Sequence, residues 1–130
     1  MSEHAVQNAI RLAAGRVAKL FRNNTGQAWT GREVVRMKNG DVLIKEPRPF
    51  RAGLCVGSSD LIGWRTVTVT PDMVGRPVAL FTALEVKGPK GRGTPEQLHF
   101  IQAVLAAGGL AGIVKTPAEA LTALGHEDHA

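Results

Sequence analysis

The sequence predicts an α/β chain in which helices are layered on strands as α/β/α. Three observations carry this. Apolar positions recur at helical spacing near the N-terminus, strand-like apolar runs fill the middle, and two Thr-Pro-x-x helix starts bracket one more apolar run near the C-terminus. Strands and helices that alternate in this way pack as layers around one core. With 130 residues and no low-complexity tract, residues 1–130 read as a single domain, long enough for a core without disulfides or structural metal.

The first helix is predicted from Ser2 to about Leu20, because Val6, Ala9, Ile10, Ala13 and Val17 share a face. Ser2 is the expected N-cap, and Glu3 sits where the helix dipole favours a carboxylate. Glu3 also shares the stripe of Val6 and Ile10, so it is placed to lean toward a site; both readings stand. Leu20 to Asn23 reads as a short strand ended by Asn24-Thr25-Gly26. Glu33 to Lys38 and Asp41 to Lys45 then flank Asn39-Gly40, the signature of a type I′ hairpin, placing a β-hairpin insertion at about 32–46. Residues 32–51 hold six Lys/Arg against three Asp/Glu, bracketed by Trp29 and Phe50. This is either a basic arm along a nucleic-acid backbone, with Arg36 and Lys38 as contacts, or a solvated hairpin whose charges guard an edge. Pro47 and Pro49 predict an extended linker.

Residues 51–63 are turn-rich and lead into a strand beginning at Asp60-Leu61-Ile62. Asp60 at a strand mouth is a candidate metal ligand, or the closing residue of an Asx-turn. Trp64 to Thr70 alternates Thr with Val and predicts extended backbone, and a strand is expected from Val78 to Lys87. Alternation places Glu85 and Lys87 on one face of it and Leu84 and Val86 on the other. Thr94 as N-cap, Pro95 at the first helical position and Gln97 three after the cap form a capping box. Gly109 to Lys115 reads as a buried strand, and Thr116-Pro117-Ala118-Glu119 repeats the capping box to open a last helix ending near Gly125. The tail His126-Glu127-Asp128-His129 reads as a polar terminus rather than a chelating site.

Lys and Arg number 16 against 11 Asp and Glu, a net charge of +5, which favours an anionic partner such as nucleic acid. The lone Cys55 has no partner for an internal disulfide, points to the cytoplasm, and between Leu54 and Val56 reads as a core side chain. There is no basic-then-apolar signal pattern, and the longest apolar run falls short of the roughly 20 residues of a membrane span.

Asp60 precedes Glu85 by 25 residues. If their strands are neighbours, Asp60, Glu85 and Lys87 meet at one sheet edge. Two carboxylates about 4 Å apart repel by about 4 kcal/mol at an effective dielectric near 20, so such a pair needs a cation. Mg²⁺, with Mn²⁺ as substitute, suits two carboxylates, a main-chain carbonyl and waters. Lys87 would then stand beside the attacking water.

Asp60 followed by Glu85-Val86-Lys87 resembles the core of the PD-(D/E)XK nucleases. More narrowly, Gly57-Ser58-Ser59-Asp60-Leu61-Ile62-Gly63, Leu84-Glu85-Val86-Lys87 and Thr94-Pro95-Glu96-Gln97 together are similar to the VRR-NUC (virus-type replication-repair nuclease) domain in its stand-alone, phage-type form. The resemblance implies a restriction-endonuclease-like α/β/α core with a mixed central sheet, and an active site of Glu3, Asp60, Glu85, Lys87 and Gln97. It further implies Asp60, Glu85 and the Val86 carbonyl around Mg²⁺, Lys87 at the water, Glu3 as an outer or second-metal ligand, and Gln97 orienting Lys87 or the water. Lys90 and Arg92 are then expected near the cut phosphate. A homodimer that cuts four-way (Holliday) DNA junctions, in the cytoplasm of a bacterial host if phage-encoded, is implied as well. Ser59 stands where the broader pattern has proline.

Two other readings compete. The loop from Gly88 to Thr94 lacks the lysine of a Walker phosphate loop, and Pro89 removes a donor. A non-catalytic basic DNA-binding module would use the charge and the hairpin and leave the carboxylates as scaffold.

Overall fold

A computed structural model describes residues 2–125, and the His126 to His129 tail lies outside them. The chain is mixed α/β and forms two compact units, residues 1–63 and 64–130. No helix among the described residues is long and apolar enough to cross a membrane.

The first unit opens with α1 (Glu3–Ala14), capped as expected by Ser2, whose hydroxyl accepts from Ala5 N at 3.2 Å. The helix stops short of Leu20 because Gly15 follows, and Val17 and Ala18 N–H both close on the Ala14 carbonyl. Then come β1 (Lys19–Arg22), β2 (Gly26–Thr30), β3 (Glu33–Arg36), β4 (Val42–Lys45), β5 (Arg48–Ala52) and β6 (Leu61–Trp64), whose last residue begins the second unit. β1 pairs with β6, and the approach is close: a Cβ on Gly63 would lie 1.8 Å from the Lys19 carbonyl oxygen.

The hairpin is longer than the sequence predicts. β3 and β4 pair antiparallel, and β2 and β5 pair antiparallel outside them, with opposed residue numbers adding to 78 in both ladders. Residues 26–52 therefore form one ribbon in a single register, interrupted near Gly31 and Glu46. Glu46 has φ 49°, the only described non-glycine residue at positive φ, and its carboxylate pairs with Arg32 at 3.3 Å. The segment expected as a Pro-rich linker is a strand because Pro49 sits in a two-stranded ribbon, where each strand has a free edge that tolerates its missing N–H. The tip also differs from a type I′ turn. That turn needs positive φ at both central residues, whereas only Gly40 has it, at 93°. Gly40 N donates to Met37 O and Met37 N to Asp41 O, the pattern of a three-residue loop, with Asn39 Oδ1 accepting from Asp41 N.

In the second unit a 3₁₀ turn at Pro71–Met73 precedes β7 (Thr82–Val86), α2 (Pro95–Ala106), β8 (Leu110–Val114) and α3 (Pro117–Ala123). The strand expected from Val78 starts only at Thr82, although the Phe81 carbonyl already accepts from Leu110 N at 2.9 Å. β7 and β8 run parallel, Glu85 opposite Ile113, and Lys87 N extends the ladder to Val114 O at 3.0 Å. Among the described residues the strands pair two by two rather than in the one mixed sheet that was expected. The core of this unit is Ile101, Val104 and Val114, where α2 packs on the strands, joined by Trp64, whose ring lies tilted 4.8 Å from Phe81. Cys55, expected in a core, is exposed, because residues 53–57 form bends and turns at the surface rather than a strand, and its neighbours Leu54 and Val56 are exposed with it.

Gly63→Ala should destabilise the chain by about 3 kcal/mol, the upper end for overpacking, since the obstructing atom is backbone. Urea unfolding checks this, with Gly88→Ala, where a Cβ meets nothing within 4 Å, as the comparison in open space.

Candidate active site

The end of β7 and the start of α2 build one cluster. Alternation along β7 sends Val86 outward, 73% exposed, and holds Glu85 and Lys87 on the other face. Lys87 Nζ lies 3.3 Å from Glu85 Oε1, and the two side chains keep 21% and 33% of their exposure. Gln97 arrives from α2, where its capping box forms in full. Gln97 N donates to Thr94 Oγ1 at 3.1 Å, and Thr94 N donates to Gln97 Oε1 at 2.9 Å.

That second bond fixes the amide. An N–H can only donate, so the atom facing Thr94 is oxygen and the amino group must face the other way. It meets Glu85, with Gln97 Nε2 donating to Glu85 Oε1 at 2.9 Å. The sequence leaves Gln97 between a helix cap and a site residue; one side chain does both. Its protein partner is the Glu85 carboxylate, which also pairs with Lys87. The Gln97 amide and the Lys87 ammonium both reach Oε1, which leaves Glu85 Oε2 without a hydrogen bond or ion pair among the described residues. A cleft of about 490 Å³ opens beside Thr82, Glu85, Gln97 and Glu96, so Glu96, to which the sequence reading gives no role, shares this space.

The loop after β7 is pinned at both ends. Gly91 N donates to Gly88 O, Lys115 Nζ donates to Pro89 O at 3.1 Å, and a Cβ on Gly93 would lie 2.4 Å from Ile113 Cδ1. Lys90 and Arg92 project from it, exposed and without ion pairs among the described residues. The Lys115 tether has no short-range signature and was invisible in the sequence.

Asp60 and Glu3 belong to the other unit, as do Arg36 and Lys38, both exposed. Asp60 does not close an Asx-turn: its carboxylate makes no hydrogen bond among the described residues, and only its carbonyl is engaged, by Asn23 N at 2.8 Å. Asn23 does the closing. Its amide donates to Ser58 Oγ at 2.7 Å and Ser59 O at 2.9 Å and accepts from Leu54 N at 3.0 Å. The backbone before Asp60, where the broader pattern has proline in place of Ser59, is thus held by a side chain from the end of β1. Glu3 lies in the exposed first turn of α1 with its carboxylate unpaired among the described residues. No three His, Cys, Asp or Glu side chains gather as a metal cage among the described residues. The uncommitted Glu85 Oε2 is the kind of oxygen donor that a hard divalent ion takes.

Gln97→Glu keeps the capping box, which accepts Glu at this position, but faces Glu85 with a second carboxylate. Stability should fall by about 1–2 kcal/mol, and the loss should shrink near 1 M salt, where the screening length is about 3 Å. Urea titrations at low and high salt measure both. The chain matches no curated protein and no solved structure. The model of the VRR-NUC domain matches residues 5–117, running through both units and all three motifs. With Glu85, Lys87 and Gln97 gathered on one strand end, the match settles the family: the chain belongs to the VRR-NUC nuclease domains, and its function is DNA processing of the nuclease type.

Proposed function

We propose that the chain is a Mg²⁺-dependent, structure-selective DNA endonuclease that hydrolyses phosphodiester bonds at four-way junctions. The observation that carries the metal-assisted part is the Glu85 carboxylate, oriented through Oε1 by Lys87 and Gln97 with Oε2 uncommitted. Asp60, Glu85 and the Val86 carbonyl would hold Mg²⁺, or Mn²⁺ in its place, with Glu3 as an outer or second-metal ligand. When bound, the ion supplies Lewis acidity and charge for the phosphate as it becomes five-coordinate.

The protein's own groups do the rest. Lys87 pairs with Glu85 at 3.3 Å and keeps N–H donors for the attacking water and a phosphate oxygen, stabilising negative charge where it develops. Water attack leaves a 5′-phosphate and a 3′-hydroxyl. Gln97 holds Glu85 in one rotamer, so the carboxylate meets its ligand already oriented. Lys90 and Arg92 sit three and five residues after Lys87 and supply phosphate contacts, and Arg36 and Lys38 supply others from the ribbon. A junction has four arms and a 130-residue chain has little surface, so a symmetric pair of chains presenting two sites is the assembly this reading calls for.

A non-catalytic DNA-binding role draws support from the unpaired cations of the ribbon. The two readings separate on Asp60→Ala, which should abolish turnover while leaving DNA affinity equal or tighter; a pure binder has no turnover to lose. Labelled four-way junction, linear duplex and single strand incubated in Mg²⁺ test the enzyme. Cutting should favour the junction, stop with EDTA, and fall by about a hundredfold or more in Lys87→Ala. Equal cutting of all three refutes junction selectivity, and no metal-dependent cutting refutes the enzyme.

A further inference from the structure

The ribbon of residues 26–52 carries more than charge. In its outer ladder Trp29 opposes Pro49 and Gln27 opposes Arg51, so these four side chains share one face; Ala28, Thr30, Arg48 and Phe50 share the other. Trp29 is 53% exposed and Phe50 46%, and neither makes a ring contact among the described residues. The first face thus presents an open aromatic ring with an arginine diagonally across the ladder, within reach of a long side chain, and the second presents a ring with an arginine two residues away on the same strand.

The charges point to a polyanion. Of the six cations in 32–51, Arg32 pairs with Glu46 and Lys45 with Glu33, while Arg36, Lys38, Arg48 and Arg51 have no ion pair among the described residues. An apolar protein partner would not call for four free cations around two exposed rings. A nucleic acid strand does, because its phosphates take the guanidinium groups and its bases take the rings. In a duplex the faces of the bases are covered by their neighbours, so a ring standing on a ribbon face can stack only on a base that is unpaired or at a break in pairing.

We infer that the Trp29 and Arg51 face is a stacking platform for an unpaired nucleobase, Trp29 lying against the base and Arg51 holding an adjacent phosphate. This rests on the reading of DNA as the substrate and narrows it, because the platform favours DNA with unstacked bases, as at a branch point or an open strand. It is separate from the Glu85 cluster and uses none of its residues.

Titration with short oligo(dT) in EDTA, which prevents cleavage, tests it. Trp29 is open while Trp64 packs on Phe81 and Phe100, so stacking should quench the exposed portion of the emission, and Trp29→Phe should remove that quench. Oligo(dT) affinity should rank wild type, Trp29→Phe, Trp29→Ala, with a total loss of about five- to a hundredfold, while affinity for a blunt duplex is unchanged. Loss of duplex affinity to the same extent, or an unchanged emission on binding, overturns the platform. So does a Trp29→Ala chain that binds oligo(dT) normally but sediments as a smaller species, since a second copy then covers the ring. Mg²⁺-dependent nicking by the same preparations is scored alongside. Retained nicking with oligo binding indifferent to Trp29 overturns this inference alone, and absent nicking with an intact quench overturns the enzyme reading alone.

Discussion

The site depends on one amide. Gln97 accepts from the main chain of Thr94 and donates to Glu85, so helix start and acidic side chain are fixed by opposite ends of the same group. Neither bond is strong by itself, but the first dictates the direction of the second. A carboxylate approached by a defined donor on one oxygen, with an ammonium on that same oxygen, presents its other oxygen in a limited range of directions. Such preorganisation is what binding a hard cation or a developing charge requires, because the ordering is complete before the ligand arrives. The parallel pairing of β7 with β8 supplies the rest, fixing Glu85 opposite Ile113, while Gly93 lets the loop pass close over Ile113 on its way to the helix.

Around this cluster, order comes from side chains that reach main-chain groups. Asn23 gathers Leu54, Ser58 and Ser59 in the first unit, Lys115 reaches the Pro89 carbonyl in the second, and Glu119 accepts from Lys115 N at 2.9 Å at the start of α3. These segments hold glycines and prolines that form few ladder bonds of their own. Polar staples replace the missing secondary structure and leave the loop cations free for a ligand.

What the sequence made legible was local. Capping boxes, strand alternation at Glu85 and Lys87, and the hairpin tip depend on residues within four of one another, and they appear where spacing put them. Even there, detail departs: the tip is a three-residue loop rather than a type I′ turn, and Glu119 reaches Lys115 N, one residue before the cap expected from Thr116. The outer ladder of the ribbon was missed because Pro47 and Pro49 argue against a strand unless the strand has a free edge, which the sequence cannot show. The role of Asn23 was missed because its partners lie 31 to 36 residues away and leave no periodic trace. The Gln97 contact to Glu85 spans 12 residues and two elements, so only the family resemblance raised it above a helix cap.

The single register shared by the two ladders of residues 26–52 limits how this arm can change in evolution. Losing or gaining one residue on either side of the tip would turn every side chain beyond it to the opposite surface, bringing Phe50 where Arg51 stands. Length variation among relatives should therefore occur as compensated events on both flanks, or be confined to the loop around Gly40, where an extra residue leaves the pairing untouched.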